Sequence, residues 1–179
     1  SPYDIILLIE ILIFIAVIVP TCIAFFTGAP WVPTPTIRVK KMIELAKLKP
    51  GQVVYDLGCG DGRLVHWAAK LHKVTAIGME LSPILFAWAC TRNFFLRSKS
   101  TILLRDFRSA MLHKADIIFF YLLPEGLKKL RPKMDKELKP GTKIISYAFE
   151  IDGWKPVYIE PKDPAKNLAR ILVYEIGKT

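Results

Sequence analysis

The chain has 179 residues, enough for one domain with a substantial core. Hydrophobic residues make up 52% and mean hydropathy is +0.31, high for a soluble protein of this size. Three cysteines with no CxxC pair do not suggest a disulfide framework, His66, His72 and His113 lack metal-ligand spacing, and the net charge of +10 points to an anionic partner surface.

The excess hydrophobicity sits at the N-terminus. Ile5 to Phe26 form a run of 22 residues whose only charge is Glu10. As a helix it is about 33 Å long, close to one hydrocarbon core. No basic segment precedes it and no small-x-small site ends it, so a transmembrane helix over residues 1–26 is expected rather than a cleaved leader. Pro20 kinks or ends the helix near its exit. Residues 1–36 hold no Lys or Arg and two acids, Asp4 and Glu10. All 26 cations, against the 14 acids left of 16, lie beyond, a surplus of 12. The positive-inside rule then puts the remainder on the cytoplasmic side of a single-pass protein. The cations are scattered, which fits a surface resting on lipid headgroups better than a nucleic-acid stripe.

Residues 27–36, "TGAPWVPTPT", form a proline-rich lead-in that sets the height of the following domain, residues 37–179, above the bilayer. A helix follows from Thr36, with Val39, Met42, Ile43 and Ala46 on one face. It stops at the "LKPG" of residues 48–51. Strands and helices then alternate: a strand at Val53–Leu57, a helix at Arg63–Leu71, a strand at Val74–Glu80, and a helix opened by Ser82-Pro83 and running to about Leu96. Thr101–Arg105 and Asp116–Leu123 are strands, Glu125–Leu138 is a helix closed by a second "LKPG", and Lys143–Phe149 is a strand. Val157–Glu160 and Ala169–Ile176 lie too close together for a helical crossover and form an antiparallel pair. The fold class is α/β, a doubly wound seven-stranded, mostly parallel sheet with an antiparallel edge hairpin.

The stretch "VVYDLGCGDGRLV", Val53 to Val65, places glycines at 58, 60 and 62 between the first strand and its helix. Such a turn binds a dinucleotide or S-adenosylmethionine at the carboxyl end of the sheet. The third position of a GxGxxG counted from Gly58 is Arg63, which defeats the close packing a dinucleotide site requires. Asp56 just before the loop repels a pyrophosphate and suits an ammonium. Two further acids close their strands. Glu80 is placed to accept bonds from ribose hydroxyls. Asp106 is placed to meet the adenine amino group, with Phe107 lining that pocket.

"DLGCGDG", "GMELSP" and "RDF" resemble the glycine motif and the second- and third-strand ends of the seven-stranded S-adenosylmethionine-dependent (Rossmann-like, class I) methyltransferases. The resemblance implies that Asp56, Gly58, Cys59, Gly60, Glu80, Leu81, Asp106 and Phe107 bind that cofactor. Over nearly the whole chain, "TGAPWVPTP", "FFYLLPE" and "ISYAFEIDGWKP" make it similar to the membrane-anchored lysine methyltransferases of the ATP synthase c-subunit and the adenine nucleotide translocase, with their prokaryotic relatives. The latter half also resembles the Dot1-type domain. The match is tightest in the glycine loop and the lead-in and looser after Phe149. It implies methyl transfer to a lysine of a membrane or membrane-associated protein. It also implies that Thr34, between Pro33 and Pro35, folds over the methionine end of the cofactor.

Methyl transfer from a sulfonium requires positioning and desolvation and no metal. The acceptor side is expected after the fourth strand. There "YLLP" lacks the amide or acid of the [N/D]PP[Y/F] motif that serves planar amines. Tyr121, Pro124, Tyr147 and Phe149, with Trp31, are the expected walls of an apolar slot that disfavours the charged lysine, although each also suits the core. Glu125 is read as favourable charge at a helix N-terminus rather than as a proton acceptor. Three other readings stay open: a methyltransferase for lipid or quinone, a binding module without turnover, and a nucleic-acid enzyme suggested by the net charge of +10.

Overall fold

The computed structural model describes residues 2–26 and 32–178. Helix α1 (Pro2–Phe26) is followed by α2 (Thr36–Ala46), β1 (Val53–Leu57), α3 (Arg63–His72), β2 (Thr75–Glu80) and α4 (Pro83–Phe95). Then come β3 (Thr101–Leu104), β4 (Ile117–Phe120), α5 (Pro124–Glu137), β5 (Lys143–Tyr147), β6 (Tyr158–Glu160) and β7 (Ile171–Glu175). The strands form one seven-stranded sheet in the order β3-β2-β1-β4-β5-β7-β6. β1 to β5 are parallel, and β7 runs antiparallel between β5 and β6. The doubly wound, mostly parallel sheet with its antiparallel edge pair is the architecture expected from the sequence.

Period-two patterning builds the two cores. Val54, Ile117, Phe119 and Ile145 point to the side covered by α2 and α3, and Tyr55, Leu57, Ile118, Phe120 and Ile144 to the side covered by α5. Both faces of the central strands are therefore apolar, as a covered parallel sheet requires. β4 ends at Phe120, three residues before the end of the apolar run that suggested it, so Tyr121, Leu122 and Leu123 form the loop into α5. Between β3 and β4 the crossover is made by two 3-10 turns, Phe107–Ser109 and Leu112–Lys114.

Strand order reverses between β1 and β4. A ligand crevice opens at that switch point, outside the carboxyl ends of the strands. The loop after β1 and the residue after β4 both face it. Apart from this domain, α1 is a 25-residue helix long and apolar enough to cross a membrane, and none of its best 18-residue window, Pro2–Val19, is buried.

Candidate functional site

A cleft at the switch point encloses about 600 Å³ of empty space, open solvent included. Asp56, Gly58, Cys59, Gly60 and Glu80 line it from the first two strands, and Val32, Pro33 and Thr34 line it from the lead-in. Met42, Leu64, Leu85, Phe120 and Tyr121 complete the apolar part of its wall. Six of the nine residues expected at a cofactor thus share one surface. Leu81, Asp106 and Phe107 are not part of that wall.

Glu80 organises the floor. Its Oε2 accepts the Gly60 N–H at 2.9 Å, and its Oε1 accepts those of Leu81 at 2.9 Å and Ser82 at 2.8 Å. Three of roughly four lone-pair sites on the carboxylate are therefore occupied by the protein's own backbone. Burial pushes the Glu80 carboxyl above its usual range, and the three N–H bonds act against that rise. Leu81 contributes its backbone to this network.

Asp56 is buried, and among the described residues no donor or cation reaches its carboxylate. Burial first, then the nearby Glu80 and Asp61, pushes its pKa up to about 8. An isolated buried carboxylate of this kind is a strong site for a cation. Cys59 is a buried thiol whose pKa is raised by the same burial and the same acids, which makes it inert packing.

The sequence reading missed Asp61 and its two arginines. Burial works against the charge on Asp61, but Arg63 and Arg92 outweigh it and hold the carboxyl below its usual range. Arg63 Nε donates to Asp61 Oδ1 at 2.9 Å, and Arg92 Nη1 donates to Oδ2 at 2.7 Å. Arg63 Nη1 also donates to the Thr34 carbonyl at 3.1 Å, which ties the lead-in to the glycine loop. The same side chain that argued against a dinucleotide is thus the clamp on the lead-in. The partner of Arg63 lies 29 residues away, and no local signal indicates it.

Two glycines let the loop pack this closely. At Gly62, φ is +70° and a Cβ would sit 3.0 Å from Ile102 Cδ1. At Gly78 in β2 a Cβ would sit 2.7 Å from the Cys59 Sγ, an overlap only glycine avoids. Gly78 opens the "GMELSP" stretch, but its packing role appears only in three dimensions.

Asp106 takes another part. It caps the turn at Phe107–Ser109 by accepting the Arg108 N–H at 2.9 Å and pairs with the Arg108 guanidinium. Arg108 holds its carboxyl below the usual range despite partial burial. Phe107 is buried in the core under α5.

On the other side of the crevice, Tyr121 meets Tyr147 edge to face with ring centroids 4.8 Å apart, and Phe149 stacks on Tyr121 at 6.2 Å. The Tyr147 hydroxyl accepts the Ala169 N–H at 3.1 Å, so that ring is fixed. Burial, then the neighbouring Tyr147, raises the Tyr121 pKa, and its hydroxyl stays protonated. A second hollow is lined by Val32, Pro33, Pro35, Tyr121, Tyr147 and Asn167. Val32, Pro33 and Tyr121 belong to both hollows, so the two share a wall. Pro124 is exposed at the start of α5 and lines neither. Trp31 lies outside the described residues. Among the described residues no group of His, Cys, Asp and Glu is arranged to hold a metal.

A family model described as the ANTKMT methyltransferase domain matches residues 56–158. A protein-lysine N-methyltransferase of Saccharolobus islandicus (strain REY15A) is 35% identical over 87% of this chain and 98% of its own length. The adenine nucleotide translocase lysine N-methyltransferase of Mus musculus is 29% identical over 73% of this chain, which spans only 57% of that longer protein. Among solved structures, an RNA methyltransferase of Salinibacter ruber in complex with S-adenosyl-L-homocysteine is 33% identical. It superposes with a TM-score of 0.74 over 81% of this chain and 94% of that one.

Proposed function

We propose a function from a firm premise: the chain belongs to the ANTKMT methyltransferase domain family, and it is an S-adenosylmethionine-dependent methyltransferase. Its acceptor, in this proposal, is a lysine of a membrane or membrane-associated protein. Residues 1–26 span the bilayer once, residues 27–36 tether, and residues 37–179 catalyse on the cytoplasmic side.

The residues of the first hollow fit the cofactor, which when bound supplies a methyl group on a sulfonium. Asp56 is a buried carboxylate with no cation beside it among the described residues, suited to the cofactor's ammonium. Glu80 keeps one lone-pair site for a ribose hydroxyl beyond its three backbone bonds. The backbone of Gly58 and Gly60 gives close approach, Cys59 fills the space beneath, and Thr34 covers the opening with Arg63 holding it there. Leu81, Asp106 and Phe107 are assigned to the nucleoside end, which requires Asp106 to share its carboxylate with Arg108.

The acceptor enters through the second hollow. The single observation that carries this reading is the wall that Val32, Pro33 and Tyr121 give to both hollows. A lysine reaching that wall leaves water among Tyr121, Tyr147 and the prolines, with Phe149 backing Tyr121. Desolvation favours its neutral form over the ammonium, whose reference pKa is about 10.4, and the proton leaves to solvent. The rings hold the chain of the lysine by apolar contact and by cation–π attraction before the proton is lost. Pro124 terminates the loop that carries Tyr121 and stiffens it. No side-chain amide or acid stands at Tyr121-Leu122-Leu123-Pro124 to grip a planar base amine.

The test is incubation of native membranes with tritiated cofactor and either wild type or Glu80→Ala. Wild type is expected to put label into protein, recovered as methyllysine after acid hydrolysis, and Glu80→Ala to put none. Label confined to the organic extract overturns the lysine reading in favour of a lipid acceptor. A nucleic-acid acceptor is the second reading, favoured by the net charge of +10 and the similarity to a structure described as an RNA methyltransferase. Loss of label on nuclease treatment decides for it.

A further inference from the structure

α4 is the helix the cores leave out. Of its 13 residues only Ala89 is buried, whereas the ten-residue α3 buries Leu64, Val65, His66, Ala68 and Ala69. What α4 leaves in the open is apolar. Trp88 is 61% exposed, Phe94 78% and Phe95 76%, and Ile84 and Leu96 are exposed with them. Ile84, Trp88, Thr91 and Phe95 recur at i, i+4, i+7 and i+11, so they form one stripe along the helix. A contiguous apolar face of this kind on a soluble surface marks an interaction site.

We propose that this face of α4 is a membrane-interface surface, lying in the headgroup layer of an anionic bilayer beside the span formed by α1. The proposal rests on the reading of α1 as a membrane span.

Two observations select a bilayer as the occupant. The first is continuity. In the structure α4 is the neighbour of α1, so a bilayer spanned by α1 lies within reach of α4. The second is charge. Residues 81–105 contain no Asp or Glu and four cations, Arg92, Arg97, Lys99 and Arg105. Arg92 is committed to Asp61. Arg97, Lys99 and Arg105 are exposed and have no ion pair among the described residues. Aromatic rings with flanking cations and no acids are the composition of a segment that lies in the plane of an anionic interface. A protein partner would have to supply both an apolar surface and several acids, and the neighbouring span would hold it at the bilayer.

The consequence reaches the active site. α4 starts three residues after Glu80 and holds Asp61 of the glycine loop through Arg92. A docked α4 thereby fixes the height of the cofactor cleft above the bilayer as well as its tether. Acceptor lysines would then be selected by their depth as well as by their sequence.

The test uses the full chain in nanodiscs of phosphatidylcholine and phosphatidylglycerol, with or without bromine atoms on the upper acyl chain. Bromine quenches tryptophan only at contact. Wild type is compared with Trp88→Phe, and because Trp31, Trp67 and Trp154 are common to both, the difference spectrum reports Trp88. The expected result is a difference spectrum reduced by about half or more in brominated lipid, as for an interfacial ring. It should weaken when phosphatidylglycerol is left out or when Arg97→Glu and Lys99→Glu are combined. Alkaline carbonate extraction of the same membranes separates the two ideas. Release by carbonate overturns the span and this proposal with it. Retention with an unquenched Trp88 overturns this proposal alone. Two chains per disc with Trp88 shielded from both lipids would assign the face to a second copy and likewise overturn it.

Discussion

The two walls of the crevice are built from opposite chemistry. On the β1–β2 side Asp56, Asp61 and Glu80 stand around one glycine-rich turn, and the backbone does much of the holding. Three N–H groups converge on Glu80 alone. On the β4–β5 side Tyr121, Tyr147 and Phe149 pack ring against ring, and the chain that orders them comes from the distant loop at Ala169. The first wall suits a cation that must stay charged. The second suits a cation that must lose its charge. A transferase for an amine needs both within one bond length of travel, and the switch point of a doubly wound sheet brings them together.

If the division is real, substitutions on the two walls fail in different ways. Glu80→Ala has the largest expected effect. It strips the partner from three inward N–H groups and the ribose contact, each such loss amounting to about 1–3 kcal/mol, so cofactor affinity should fall by at least about a hundredfold by calorimetry. Tyr121→Ala should leave cofactor affinity within about twofold while turnover drops about a hundredfold, because the acceptor loses its desolvating wall. Gly78→Ala probes the packing under the first wall. Its Cβ cannot coexist with the Cys59 Sγ at 2.7 Å, so unfolding should be easier by about 1–3 kcal/mol in urea, and cofactor binding weaker. Arg63→Met, which releases the Thr34 carbonyl, should raise the KM for cofactor about tenfold and leave kcat nearly unchanged.

The smallest effect, and the sharpest test of the charged wall, is a pH dependence. The folded-state pKa of Asp56 lies near 8, above its ordinary value of 3.8. Asp56 therefore contributes stability to the cofactor-free protein that is complete below about pH 4 and lost as the pH rises through about 8. Cofactor binding requires the carboxylate. Affinity should therefore rise with pH between about 6 and 7.5, while thermal stability of the free protein falls over the same range. Asp56→Asn should flatten both curves.

The first wall was also the legible one. Its glycines, Asp56 and Glu80 fall within 25 residues, and local spacing alone places them on neighbouring strand ends. The same locality does not show what else Asp106 does. The strand stops at Leu104, and a two-residue overhang lets the carboxylate turn back onto Arg108. The second wall is assembled from residues 32 to 169, and each of its aromatics reads equally well as core. That Tyr121 leaves the strand and faces both hollows follows from β4 ending at Phe120, which an unbroken apolar run conceals. The packing role of Gly78 and the Arg63–Thr34 clamp are not legible locally, because each depends on what another element brings near.

One measurement bears on the division most directly. S-adenosylhomocysteine is titrated calorimetrically into wild type, Glu80→Ala and Tyr121→Ala, each first shown by its melting curve to be folded. The account predicts that Tyr121→Ala binds like wild type and that Glu80→Ala does not bind measurably. Equal loss of binding in both variants would mean that the aromatic wall belongs to the cofactor, and the separation of the two walls would be wrong.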